Sequence, residues 1–178
     1  MIIISLDGSF AKSGVCISKV VQNRLEIVHT ELIVSNKDLD MIPRILDSLQ
    51  KIDSVVVKYN PSIYIKEEPF IGRASTAKPV LYYHALLELD YYNKNIELID
   101  IHNATLKAFC KKYMIDNSFY TKDELKQFDK KQVVAEFLKC YFSSDMKEIY
   151  TERGRLIDDT ADACALSVYY YEKKMEVF

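Results

Sequence analysis

A chain of 178 residues with 49% hydrophobic content is long enough for one packed domain and too apolar for a disordered segment. Its 24 basic and 26 acidic residues give a net charge of −2, which excludes binding of nucleic acid by bulk positive charge, though not by a local basic face. Cys16, Cys110, Cys140 and Cys164 form no CxxC pair, and no apolar run approaches the roughly 20 residues of a membrane helix, so zinc knuckle, disulfide framework and membrane span are excluded and a cytoplasmic protein is expected.

The chain opens with the apolar run Ile2 to Leu6, closed by Asp7-Gly8-Ser9, a turn signal. Gly14 to Ser18 resumes with β-prone residues, and a second turn at Gln22-Asn23 leads to Leu25, Ile27 and Val28 and then Leu32-Ile33-Val34. Three antiparallel neighbours are expected. From Lys37 to Tyr59 the apolar residues Ile42, Ile45, Leu46, Leu49, Ile52, Val56 and Tyr59 recur at helical spacing. Asn60-Pro61-Ser62 ends that helix, and Ile63 to Glu68 reads as a buried strand.

Pro69 to Lys78 reads as a loop, Val80 to Tyr92 as a helix and Ile96 to Ile101 as a strand. Asn103 is expected to cap a helix from Ala104 to about Tyr113. An irregular stretch to Lys122 follows, then a helix from Asp123 or Asp129 to Phe142, a polar segment, and a last helix from about Leu156 to Lys174. This order predicts an α/β fold of one domain, residues 1–178, whose mixed five-stranded sheet has the first strand at its centre. Ligands gather beyond the carboxyl ends of the strands in such sheets, where Asp7 and Glu67 fall.

Asp7 alone fits a turn cap equally well. Glu67 alternates with Ile63 and Ile65, and a carboxylate in line with two buried isoleucines costs several kcal/mol unless it is paired or metal-bound. Glu68, its rival, faces the other way with Tyr64 and Lys66. Near the C-terminus, Asp158, Asp159 and Asp162 sit among Ala, Cys and Leu, and either Asp159 or Asp158 shares a helical face with Asp162. Capping explains Asp158 and Asp159 but not Asp162, a turn further in. Clustered carboxylates repel unless a cation neutralises them, and all-oxygen donors suit Mg²⁺ or Mn²⁺ rather than zinc. Two such ions about 4 Å apart would activate water and stabilise a leaving 3′ oxygen in phosphodiester hydrolysis.

Ile4-Ser5-Leu6-Asp7-Gly8-Ser9, Ile65-Lys66-Glu67-Glu68-Pro69-Phe70 and Asp159-Thr160-Ala161-Asp162-Ala163, in this order over almost the whole chain, resemble the RuvC-like Holliday junction resolvases of the RNase H superfamily, with phage-encoded members such as those of lactococcal phages the most similar branch. The resemblance implies an RNase H-like fold and a Mg²⁺-dependent endodeoxyribonuclease in which Asp7, Glu67, Asp159 and Asp162 bind two metal ions, with Mn²⁺ able to substitute. It implies that Phe70 stacks on a base at the junction centre, and that Lys107 and Lys130 or Lys131 lie beside the scissile phosphate. Arg73 and Lys78 suit phosphate contacts. Paired nicks by a homodimer on four-way DNA are implied too, in a bacterial host cytoplasm if the gene is a phage's. The helix Leu81 to Leu89 is apolar on more than one face and offers either an interface or burial against its own sheet. Likewise Tyr169-Tyr170-Tyr171 offers core and rim rather than DNA contact.

The chain departs from the family pattern in two places: Gly8 replaces the usual proline after the first aspartate, and the polar stretch Asn117 to Gln127 replaces a glycine-rich segment. The second removes the basis for expecting the family's contact with a branch-migration motor. Rival readings are a nuclease for RNA in RNA–DNA hybrids, a non-catalytic junction-binding protein, and a fragment of a sugar-kinase or actin-like ATPase. The last needs glycine-rich phosphate loops, and this chain has only 4 glycines.

Overall fold

Ile3 and Ser5 point to one side of the first strand and Ile4 and Leu6 to the other, and all four are fully buried. Apolar residues on both faces of a strand require cover on both, which makes it the centre of a sheet. The computed structural model describes residues 1–71 and 74–175, with 74–76 and 175 described by backbone alone. Strands β1 (Ile2–Gly8), β2 (Lys12–Val21), β3 (Arg24–Val34), β4 (Ile63–Glu67) and β5 (Leu98–Ile101) form one sheet in the order β3-β2-β1-β4-β5. The first three are antiparallel; β4 and β5 are parallel to β1 and to each other. The expected mixed sheet centred on the first strand is therefore what the chain forms.

Helices α1 (Met41–Tyr59) and α2 (Ala74–Asn93) cover one face. There Ile4, Leu6, Val15, Ile17 and Tyr64 pack with Ile45, Leu49, Ile52, Tyr83 and Leu87. The other face carries α3 (Asn103–Asp116), α5 (Lys130–Phe142) and α6 (Asp158–Met175), where Ile3, Cys16 and Ile65 meet Leu106, Phe137 and Leu166. A single turn, α4 (Lys122–Leu125), links α3 to α5. Odd-numbered residues of β1 and β4 thus face α6, and that parity decides where Asp7 and Glu67 go.

Several boundaries differ from the sequence reading for identifiable reasons. The third expected strand, β3, is eleven residues long and is accommodated by an irregularity in its register with β2 at Ile17/Ser18. Helix α1 begins at Met41 rather than Lys37, with Pro43 in its first turn, where a missing N–H costs no ladder bond. Helix α2 begins at Ala74, six residues before the expected Val80, and carries Pro79 inside it. Pro79 and its small polar neighbours mimic a loop.

Helix α3 runs on to Asp116 because Met114 continues the buried row of Leu106 and Cys110. Its cap is His102, whose Nδ1 accepts from the Ala104 N–H at 3.1 Å, and not Asn103 as expected. Asp129 caps α5 through a capping box with Gln132, and α6 begins at Asp158, two residues later than expected. Cys16, Cys110 and Cys164 are buried, all four cysteines are free, and among the described residues no helix is long and apolar enough to cross a membrane.

Candidate active site

Two registers and one close contact bring the acidic residues together. In the parallel pair, Leu6 lies opposite Lys66, so Asp7 and Glu67 emerge side by side where β1 and β4 end, both toward α6. In the antiparallel pair, Asp7 lies opposite Gly14. Helix α6 crosses β1 to β4, and its first turn presses on β2 at Gly14. A Cβ there would stand 2.0 Å from the Asp159 carbonyl oxygen and 2.7 Å from the Thr160 nitrogen. Only glycine admits the helix this closely. Farther along, the buried Ser5 hydroxyl reaches the Ala163 carbonyl and the Ser167 hydroxyl, each at 2.6 Å, pinning α6 to the central strand.

Asp7, Glu67, Asp159 and Asp162 are each only partly exposed, and they feel one another. Burial pushes the Asp7 carboxyl well above the usual carboxylate range, and its hydrogen bond with Glu67 and the charges of Glu67, Asp162 and Asp159 push it further. Burial also raises Asp162, to about 6, with Lys107 pulling it back and Glu67, Asp158 and Asp159 adding to the rise. Asp159 is raised by burial and by Asp158, against the opposing charges of Lys12 and Lys131.

Asp158 behaves differently. Burial works to raise it, but its ion pair with Lys131 on α5 holds it below the usual value. Glu68 is exposed, and its backbone N–H continues the sheet by bonding to the Ile101 carbonyl at 3.0 Å. Of each rival pair, Glu67 and Asp159 are the members coupled to Asp7.

This donor set is all carboxylate oxygen, and the like charge that adds to burial in lifting Asp7 and Asp162 is what a hard divalent cation relieves. Among the described residues, no group of three or more His, Cys, Asp or Glu side chains is arranged to hold a metal ion.

The basic and aromatic candidates fall into three groups. Lys107 on α3 places its Nζ 3.7 Å from Asp162 Oδ2. Phe70, Lys107 and Lys130 line one cavity of about 570 Å³ beside the carboxylates, and the Phe70 ring is 72% exposed, which rules out its reading as an anchor in the core. Lys131 faces away from that cavity to Asp158, and Lys78 sits on α2 rather than in a loop, exposed, with its Nζ 5.6 Å from the Tyr82 ring centre. Arg73 lies outside the described residues. Tyr170 and Tyr171 are buried, the latter bonding the Asn23 carbonyl at 2.7 Å, so the tyrosine run is core and rim.

Sequence reasoning missed three features of this site. His102 and Lys111 also line the cavity, a helical face that carried no local signal. Asn103 donates through Nδ2 to Glu67 Oε1. The register that opposes Glu67 to Ile101 puts the start of α3 beside Glu67, and no sequence pattern reveals that register.

The raised carboxyls carry a prediction. A folded chain that holds these protons more tightly than the unfolded one is stabilised below pH ~4, and loses that stabilisation as pH climbs through the folded value of about 6 for Asp162. For this group the loss is on the order of 3 kcal/mol. In chelator, Asp162→Asn should therefore be more stable than wild type in urea at pH 7.5, and the advantage should shrink at pH 5. A variant less stable than wild type at pH 7.5 would contradict the assignment.

No protein-family model matches the chain, and no curated protein is significantly similar in sequence. Solved structures are similar in fold. Thermus thermophilus RuvC in complex with a Holliday junction substrate superimposes with a TM-score of 0.71 at 12% identity, over 98% of this chain and 96% of that one. The yeast mitochondrial Holliday junction resolvase gives 0.70 at 12% identity, over 99% of this chain and 80% of that one. Fowlpox virus resolvase with Holliday junction DNA gives 0.58 at 16% identity, over 98% and 99%. The sheet order and the match over nearly full length agree: the chain has the RNase H-like fold of the RuvC-like Holliday junction resolvases.

Proposed function

We propose that this chain is a divalent-metal-dependent endodeoxyribonuclease that resolves four-way DNA junctions, and other branched DNA, by paired nicks made by a homodimer. The observation that carries the reading is the meeting of Asp7, Glu67, Asp159 and Asp162 from three separated segments at one edge of a resolvase-like sheet. Two structures of similar fold hold Holliday junction DNA, which favours DNA over RNA as the substrate.

In this reading Asp7, Glu67, Asp159 and Asp162 would hold two Mg²⁺ ions, or Mn²⁺ in their place. Bound there, the ions supply an activated water and charge stabilisation at the leaving oxygen. The chain's own residues do the rest. Lys107 brings its ammonium group to the border between the carboxylates and the cavity, where a scissile phosphate would pass. Lys130 adds charge on the cavity's far wall, and Lys131 reaches a phosphate by leaving or sharing Asp158. Lys78 on α2 extends the contact to flanking phosphates, the role that the sequence also suggests for Arg73. On α2, Tyr83 and Leu87 are buried against the sheet, whereas Leu81, Tyr82, Leu89 and Tyr92 are exposed and offer a surface to a second copy.

Phe70 is the side chain positioned for a base. An exposed aromatic ring over a cavity bordered by lysines suits an unstacked base with its phosphates in salt contact, a contact worth about 1–3 kcal/mol. Phe70→Ala should therefore weaken binding to a four-way junction by about 5- to 150-fold and leave binding to linear duplex unchanged. Equal affinity of variant and wild type for junctions would remove Phe70 from the interface. The reading as a whole is tested by cleavage: Mg²⁺-dependent cutting of branched DNA supports it, and preferential hydrolysis of RNA in a hybrid overturns it.

A further inference from the structure

We propose that Asn103 is a positioning residue for Glu67, holding that carboxylate in the orientation a metal ion requires; the proposal rests on the nuclease reading above. Residue 103 opens α3, a position that composition assigns to capping, yet the cap is supplied by His102. The Asn103 side chain is thereby free of its expected duty. It turns instead to Glu67 and donates through Nδ2 to Oε1.

The contact follows from the sheet. Glu67 is the last residue of β4 and lies opposite Ile101, the last residue of β5, and the Glu68 N–H bonds to the Ile101 carbonyl at 3.0 Å. With β4 and β5 locked in this register, the chain past Ile101 turns beside Glu67, and the first side chain of α3 meets the carboxylate.

Glu67 needs such a partner more than the three aspartates do. It has one more rotatable bond, so freezing it for ligation costs more rotamer freedom than freezing an aspartate. Asp7 hangs on the central strand, and Asp159 and Asp162 ride on a helix clamped at Gly14 and Ser5. Glu67 closes β4 on a longer side chain with neither the central strand nor a clamped helix beneath it. An amide that occupies one carboxylate oxygen leaves the other oxygen and the remaining lone pairs for a cation, and an amide adds no charge to a site already crowded with negative groups. Asn103 also lines the Phe70 cavity, so it stands between the carboxylates and the surface proposed for the base.

Outer-shell partners of this kind are typically worth 10- to 100-fold in metal affinity or activity. The test is Mn²⁺ binding by calorimetry, alongside the Mg²⁺ dependence of junction cleavage, for wild type, Asn103→Ala, Asn103→Asp and Asn103→Gln. Asn103→Ala should raise the Mn²⁺ dissociation constant and the Mg²⁺ concentration for half-maximal cleavage by about 10-fold or more. Asn103→Asp, which keeps the size and suits a helix start but sets an acceptor against Glu67, should do more harm than alanine. Asn103→Gln, which keeps the donor on a longer arm, should recover part of the loss. The melting temperature in chelator should stay near wild type for Asn103→Ala and Asn103→Gln, which a merely structural role would not allow, and should fall for Asn103→Asp, which adds like charge to the site.

Mn²⁺ affinities of Asn103→Ala and Asn103→Asp within twofold of wild type would overturn the positioning role and leave the nuclease reading intact. A wild-type protein that neither binds Mn²⁺ nor cuts branched DNA would overturn both.

Discussion

Asp7→Asn is expected to lower the rate of junction cleavage by on the order of a thousandfold or more, while junction binding persists and the chelator-treated protein becomes more stable than wild type at pH 7.5. The three effects share one cause. Asp7 is buried at the end of the central strand, bonded to Glu67 and faced by the charges of Asp159 and Asp162. In that setting the ionised carboxylate opposes folding, because burial and like charge both penalise it. An amide of the same shape relieves the penalty and forfeits a negatively charged ligand. The bland alternative, a turn-capping Asp, predicts a different pattern: asparagine caps a turn about as well, so stability and cleavage would both stay near wild type. Cleavage and urea denaturation on one pair of proteins separate the two, and undiminished cleavage would take Asp7 out of the mechanism.

The second large effect is expected at a residue with no chemistry of its own. Gly14→Ala sets a methyl group 2.0 Å from the Asp159 carbonyl oxygen, which is backbone and cannot swing aside. Either α6 lifts from β2 or the strand bends. Overpacking of this sort costs about 1–3 kcal/mol, or a melting temperature lower by ~2–12 °C in a chain of this size. The loss of activity should be out of proportion to that. Asp159 and Asp162 ride on the displaced turn, and a misplacement near 1 Å is worth ~10²-fold in rate. Gly14→Ala with wild-type melting and cleavage would show that the approach of α6 to β2 does not set the site.

The contrast between Asp7 and Gly14 shows what the sequence could and could not reveal. The placement of Asp7 and Glu67 at strand ends was legible because its signals are local: the apolar run Ile2 to Leu6 closes on Asp7-Gly8, and Ile63 and Ile65 alternate with Glu67 on a side that faces α6. Asp162 was legible because an acid a full turn inside an apolar helix has no local explanation. The central position of the first strand followed from the order of hairpin, helix and strand. Gly14 looked like part of a hairpin, because its partner is about 145 positions away in sequence and only packing of α6 on the sheet reveals the contact. Asn103 was read as a cap because capping is the local use of asparagine, and the cap went to His102 instead. Pro79 concealed the first turns of α2 for the same reason: a local preference was overridden by the helix built around it.

The same limit applied to the lysines. Lys107 and Lys130 share a cavity with Phe70 because α3 and α5 pack side by side, whereas Lys131, one residue on, turns to Asp158. Sequence left Lys130 and Lys131 as alternatives, and the structure gives them different neighbours.

The proposal that Asp7, Glu67, Asp159 and Asp162 serve a metal-dependent junction nuclease is decided by incubating wild-type protein with end-labelled four-way junction, linear duplex and RNA–DNA hybrid, with Mg²⁺ or with chelator. Paired, symmetrically placed nicks in the junction with Mg²⁺, none in chelator and little cutting of linear duplex are predicted. Cutting that persists in chelator, or that falls chiefly on the RNA strand of the hybrid, would contradict the account.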